Sequence, residues 1–311
     1  MLSLHGQKLH GSTWATLIVI TLLFALLLAG CSPQSSSTPT STSTPTPAPS
    51  STLSGSIKII GSNTVTPIST VWAENFMKAN QKVSIAVSGP GSGVGIAAFI
   101  DGTTDICQAS RPITADEIAK AKANGHTTNE IIVAYDGLAI VVNKNNKVNE
   151  LTMEQLSNIY AGKITNWSEV GGDNATIVAI SRDSNSGTHL FFKEHVVQMK
   201  DKKAEYGTQV LFLPSTESGI TEISSNSKAI FYAGLGYVSK DVKVLGIKKA
   251  ASAAAVLPSI KTVHDKSYPA SRPLFFYIDG EPKGAIKAFI DFAKSKDGQK
   301  VVEDMGFVPL P

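Results

Sequence analysis

The sequence predicts an α/β protein of two lobes, each a mostly parallel sheet flanked by helices, with a ligand cleft between them. Two observations carry this reading. Short β-branched runs are repeatedly followed by a loop of small residues and then by apolar residues at helical spacing, an alternation that implies parallel strands joined by helical crossovers. Two apolar runs, Asn129 to Tyr135 and Leu138 to Val142, flank Asp136-Gly137, which reads as a crossing point between lobes.

The first unit is Ser56 to Ile60, a strand that stops at Gly61-Ser62-Asn63-Thr64 and gives way to a helix holding Ile68, Val71, Trp72 and Phe76. In the second, Val83 to Val87 leads through Gly89-Pro90-Gly91-Ser92-Gly93 into Val94 to Ile100. The third runs from Asp105-Ile106 through Ser110-Arg111-Pro112 to a helix from about Thr114. Beyond the crossing, Ile177 to Ile180 precedes Ser181 to Thr188 and a helix from His189, with further strands at Ala229 to Phe231 and Tyr237-Val238. Leu274 to Ile278 reads as a strand, and Gly284 to Ala293 as an amphipathic helix that returns to the first lobe. Residues 55–136 with 258–311 therefore form lobe I, and 137–257 lobe II.

A chain of 311 residues with 42% hydrophobic and 17% charged content can bury a full core. Its formal net charge of +3 is far from the dense basic surface that nucleic-acid binding needs, and it suits a small anionic ligand. Near the start, Lys8 precedes the apolar run Leu17 to Ala29, which ends at Leu28-Ala29-Gly30-Cys31. That run is roughly a dozen residues, short of the ~20 a membrane span needs, so residues 1–30 read as a signal peptide. Small residues directly before Cys31 resemble the lipobox of bacterial lipoproteins, making Cys31 a lipidated first residue of the mature chain. From there to residue 54 the sequence is almost all Ser, Thr and Pro, a disordered linker stiffened by Pro39, Pro45, Pro47 and Pro49. The expected location is the outer face of the cell membrane, extracellular or periplasmic, held by lipid. Cys107 is the one cysteine left and reads as a small buried apolar residue, with no disulfide.

Ligands of open α/β sheets lie beyond the carboxyl ends of the strands, where helix N-termini offer unpaired N–H groups to anions. Here those ends carry Gly, Ser, Thr, Asp and Arg. Gly61 to Pro67 has hydroxyl residues at a helix start, which capping alone would also explain. Gly89 to Gly95 permits close backbone approach but lacks the Lys of a nucleotide-binding P-loop. Arg182-Asp183-Ser184-Asn185-Ser186-Gly187-Thr188 joins a fixed positive charge to hydroxyls and a Gly, suited to a tetrahedral oxyanion. Catalysis is not expected, because Gly91-Ser92-Gly93 is not a G-x-S-x-G elbow and His126, His189, His195 and His264 sit in no motif that presents a base. No His, Cys and carboxylate group has metal-ligand spacing.

In order along the chain, Gly61-Ser62-Asn63-Thr64-Val65, Gly91-Ser92-Gly93-Val94-Gly95, Asp105-Ile106 with Ala109-Ser110-Arg111, Tyr135-Asp136-Gly137, Ile164-Thr165-Asn166-Trp167 and Arg182 through Thr188 resemble the phosphate-binding proteins of bacterial ABC phosphate importers, a PstS-like family of the periplasmic binding protein superfamily. The resemblance covers nearly everything after the linker. It implies the two-lobed binding-protein fold, a monomer, no cofactor, and an ABC permease and ATPase as partners. It also implies that inorganic phosphate is surrounded by Thr64, the N–H of Val65, Ser92, Asp105, Arg182, Ser186, the N–H of Gly187 and Thr188. Ser110 and Arg111 are further candidates, Asp136 belongs to the site or to the hinge, and which of Ser62, Asn63, Thr64 and Val65 faces inward stays open. By the same resemblance Asp105 would accept the proton that phosphate carries and sulfate lacks, or would serve as a salt-bridge partner of Arg182, or both. A binding protein for sulfate, molybdate or tungstate, and a phosphate sensor, remain alternatives.

Overall fold

The first strand, β1 (Gly55–Gly61), buries Ile57 and Ile59 on alternate positions, as one covered sheet face requires. The structure, a computed structural model, describes residues 53–311, so the leader, Cys31 and nearly all of the linker lie outside it. Helix α1 (Thr66–Ala79) starts with Pro67 in its first turn and buries Ile68, Trp72 and Phe76. There follow β2 (Val83–Ser88), α2 (Ser92–Ile100), β3 (Ile106–Ala109) and α3 (Ala115–Ala123), whose start is fixed by a reciprocal cap between Thr114 and Glu117.

Next comes β4, one strand of 16 residues from Thr128 to Asn143. Asp136-Gly137, expected as the crossing point, lies inside this strand. The backbone there stays extended because Asp136 pairs with Arg272 and Gly137 with Ser271 across the antiparallel ladder. The crossing between lobes is thus the strand itself. Beyond it lie β5 (Glu150–Thr152), α4 (Met153–Tyr160), a 3₁₀ turn at Trp167–Val170, β6 (Val178–Arg182) and α5 (Gly187–Phe192), which runs on into a π turn, Lys193–Val197. Then come β7 (Leu211–Leu213), α6 (Thr216–Ser225), β8 (Ala229–Gly234), a 3₁₀ turn at Leu235–Tyr237, β9 (Val242–Val244), β10 (Gly246–Lys248) and α7 (Ile260–His264). The chain ends with β11 (Ser271–Asp279), α8 (Gly284–Lys294) and α9 (Lys296–Asp304).

One nine-stranded sheet runs β2-β1-β3-β11-β4-β8-β6-β7, with β9 also on β4, while β5 and β10 form a small separate pair. Parallel pairing holds within β2-β1-β3 and within β8-β6-β7, and the central strands β11 and β4 are antiparallel to their neighbours. The molecule is therefore a mixed α/β fold on a curled sheet. The core divides accordingly. One set of clusters gathers Ile57, Trp72, Phe76, Phe276 and Phe289, with Cys107 beside them, and the other gathers Ile140, Leu156, Tyr160, Phe192 and Tyr232. Tyr268 and Ala270 still pack in the second set, and β11 begins directly after them at Ser271. Burial pushes the Cys107 thiol up from its ordinary range, as for an inert core cysteine. Trp167 is core as well, its indole N–H donating to the Lys228 carbonyl at 2.9 Å. Among the described residues no helix is long and apolar enough to cross a membrane.

Candidate anion-binding site

The sequence places small residues at the ends of β1, β2, β3 and β6, and the fold brings three of the following helices together by their N-termini. Val65 and Gly91 stand at the starts of α1 and α2 with no side-chain cap, and Ser186 caps α5 through the His189 N–H at 3.3 Å. Three dipole ends of one sign favour an anion there. Gly91 has φ 121°, open to glycine, and its N–H donates to the Gly61 carbonyl at 2.8 Å, tying the first two loops together.

Contacts across the cleft are made by the candidate residues themselves. The Thr64 and Thr188 hydroxyls lie 2.9 Å apart, and the Gly93 N–H donates to the Asn185 carbonyl at 3.0 Å. The Ser92 hydroxyl accepts from the Ser110 N–H at 3.1 Å and lies 3.4 Å from the Ser110 hydroxyl. Ser62, Thr64, Val65, Ser92, Ser110, Arg182, Ser186, Gly187 and Thr188 are all buried. Ser62 acts within its own loop, where its hydroxyl and carbonyl accept from the Val65 N–H at 3.3 and 3.2 Å.

Arg182, the last residue of β6, is 2% exposed, and its hydrogen bonds go to four neutral oxygens. These are the carbonyls of Leu213 and Pro214, the Thr216 hydroxyl at 2.6 Å and the Asn63 side-chain oxygen at 3.2 Å. Burial pushes the guanidinium down from its ordinary value and the nearby Asp183 carboxylate raises it, and at neutral pH it stays a cation. A buried cation without a bonded carboxylate leaves the cluster positive. Asn63 faces inward and bridges the cleft a second time, since its side-chain oxygen also accepts from the Thr216 N–H at 3.1 Å and its carbonyl from the Tyr237 hydroxyl at 2.6 Å.

The carboxylate in this region is Asp136, not Asp105. Asp105 precedes β3, whereas the anion loop follows it, so four strand residues, roughly 13 Å, separate the two ends. Its side chain is exposed, accepts from the Lys58 N–H at 2.7 Å, and lines a surface cavity of about 380 Å³ with His126 and Asp279. It therefore neither faces the cluster nor pairs with Arg182, and the expectation that it discriminates phosphate from sulfate is corrected. Arg111 is likewise directed elsewhere, its guanidinium forked onto Glu117 at 2.7 and 2.8 Å. Asp136 is fully buried at the hinge. Burial pushes its carboxyl up, opposed by the Arg272 guanidinium at 2.8 Å and the Leu235 N–H at 2.9 Å.

A PBP superfamily domain model matches residues 46–297. Phosphate-binding protein PstS of Staphylococcus saprophyticus is 38% identical over 268 residues, which is 83% of this chain and 81% of that protein. This chain belongs to the PstS family of phosphate-binding proteins. The same name is carried by a relative in Staphylococcus epidermidis at 35% identity, over 83% of this chain and 80% of that one. The fold is shared with a phosphate ABC transporter substrate-binding protein of Clostridium perfringens, solved with bound phosphate, at TM-score 0.74 and 33% identity, covering 83% of this chain and all of that one. An ABC-type phosphate transport receptor of Vibrio cholerae gives TM-score 0.67 at 32% identity, covering 82% of this chain and 100% of that one.

Three residues that the sequence did not single out belong to the cluster: Thr216 and Tyr237, described above, and Arg272, which bonds to Asp136, Thr188 and Ser110. Only Arg272 left a signal, as a lone charge opening an apolar strand opposite the similarly isolated Asp136. The packing at Gly187 gives a direct prediction. A methyl group there would lie 2.3 Å from the Ser92 hydroxyl and 2.9 Å from the Ser110 hydroxyl. Gly187→Ala should therefore hold the lobes apart and weaken anion binding by about tenfold or more, the effect of 1–3 kcal/mol of overpacking, with little loss of thermal stability in ligand-free protein. Calorimetry and a melting curve check this together.

Proposed function

We propose that this chain captures inorganic phosphate between its lobes and delivers it to the permease of an ABC importer. The observation that carries this reading is Arg182: a buried cation bonded only to neutral oxygens, beside three helix N-termini and the hydroxyls of Thr64, Ser92, Ser186 and Thr188. Such a site attracts a small oxyanion through donors aimed inward. The PstS names and the phosphate bound in the Clostridium perfringens structure choose phosphate among oxyanions. The protein works as a monomer, with a permease and an ATPase downstream. Titration calorimetry with phosphate, sulfate and molybdate tests the reading. Phosphate should bind with saturation and raise the melting midpoint; no heat and no shift at millimolar phosphate would overturn it.

The same proposal places the protein on the outer face of the membrane, extracellular or periplasmic, anchored through lipid on Cys31. A single acyl chain binds membranes weakly and two or more anchor firmly. Cys31→Ser should move most of the protein from the membrane fraction to the soluble one, or leave the leader uncut. Undiminished membrane association of correctly cleaved Cys31→Ser protein would refute the anchor.

A further inference from the structure

Arg272 is 2% exposed, opens β11, and touches every part of the hinge region at once. Its Nε and Nη2 donate to one oxygen of Asp136 at 3.1 and 2.8 Å. Its Nη1 donates to the Ser110 carbonyl at 2.9 Å, in the loop after β3. Across the cleft it meets α5 twice. Nη2 donates to the Thr188 hydroxyl oxygen at 3.0 Å, and the guanidinium carbon stands 5.3 Å from the centre of the Phe191 ring, one helical turn further on.

A guanidinium has five donors and no acceptor, so Thr188 must accept on the side of Arg272. Its own proton then points away from Arg272, and when the Thr64 hydroxyl, 2.9 Å distant, donates to the second lone pair of Thr188, that proton is left for the space between the loops. An anion needs a donor there. We propose that Arg272 is a positioning residue of the anion site: from the hinge it holds Thr188 by the oxygen and α5 by Phe191, presenting the Thr188 proton to the ligand. Arg272 commits four of its five donors to Asp136, Ser110 and Thr188, and acts on the ligand through Thr188. This assignment rests on the phosphate-binding reading and deepens it.

A double-variant cycle separates positioning from general structural support. Inorganic phosphate is titrated into the full mature chain, into Arg272→Lys, into Thr188→Val, and into the double variant. Lysine keeps the charge opposite Asp136 and loses the planar fork. Arg272→Lys should weaken phosphate roughly tenfold, as for one charge-assisted contact misplaced. In the Thr188→Val background the same change should cost less than about twofold, because there is no hydroxyl left to orient. Equal losses in both backgrounds would overturn the proposal and leave Arg272 as a structural ion pair. Should Arg272→Lys fail to fold, Phe191→Leu takes its place, leaving the ion pair intact; a loss of several-fold that vanishes in the Thr188→Val background supports the proposal, and an unchanged affinity overturns it. Failure of the underlying phosphate reading is distinguishable, since then the unmodified chain gives no binding heat at all.

Discussion

Arg182→Ala should lower phosphate affinity by roughly ten- to a hundredfold, the range spanned by losing a hydrogen bond to a charged group worth 1.5–3 kcal/mol. The loss should fall on every oxyanion alike, because Arg182 supplies attraction without reading the ligand's proton. Lysine should restore only a part. Its ammonium is a point charge with three donors, whereas the guanidinium spreads its bonds over Leu213, Pro214, Thr216 and Asn63 and is held rigid by them. Calorimetry on Arg182→Ala and Arg182→Lys measures both effects. A phosphate affinity within twofold of the parent protein in Arg182→Ala would remove Arg182 from the site.

Asp136→Asn should act on stability more than on affinity. The change strips the negative partner from Arg272 while leaving that cation buried, and breaking a buried pair from one side costs about 3–5 kcal/mol. For a domain of this size that is a fall of roughly 10 °C in the melting midpoint. Replacing both partners, as in Asp136→Leu with Arg272→Met, should recover much of it, since neither charge is then stranded. Thermal unfolding of the single and double variants decides between the outcomes. A midpoint unchanged in Asp136→Asn would mean the pair is solvated, contrary to its burial.

Much of the site was readable because chemistry and backbone geometry coincide at strand ends. Gly61, Gly91 and Gly187 allow close approach where a side chain would clash, and Thr64, Ser92, Ser186 and Thr188 follow or adjoin them as short donors. Arg182 stood out as a fixed positive charge leading into hydroxyl residues and a glycine. Asp105 misled because the strand it precedes has only four residues, and a sequence does not say which end of so short a strand faces the ligand. Asp136-Gly137 carries the composition of a turn, yet its pairing with Ser271 and Arg272 overrides that local preference. Thr216 and Tyr237 were invisible for a different reason: one opens α6 and the other ends a 3₁₀ turn, both far along the chain, and only the tertiary fold brings them to Asn63.

The joint between the lobes includes a ladder, and a ladder has mechanical properties of its own. β4 and β11 run as antiparallel partners from Thr128 opposite Asp279 up to Gly137 opposite Ser271, so the ladder ends at the lobe boundary with the Asp136–Arg272 pair. Sliding one strand along the other by a single residue would turn every side chain to the wrong face and tear that pair apart. Bending or twisting the ribbon breaks no rung. A joint of this kind would let the two halves swing while resisting shear, as a leaf spring does. The same register sets Thr64 on Thr188 and Asn63 on Arg182 where the halves meet.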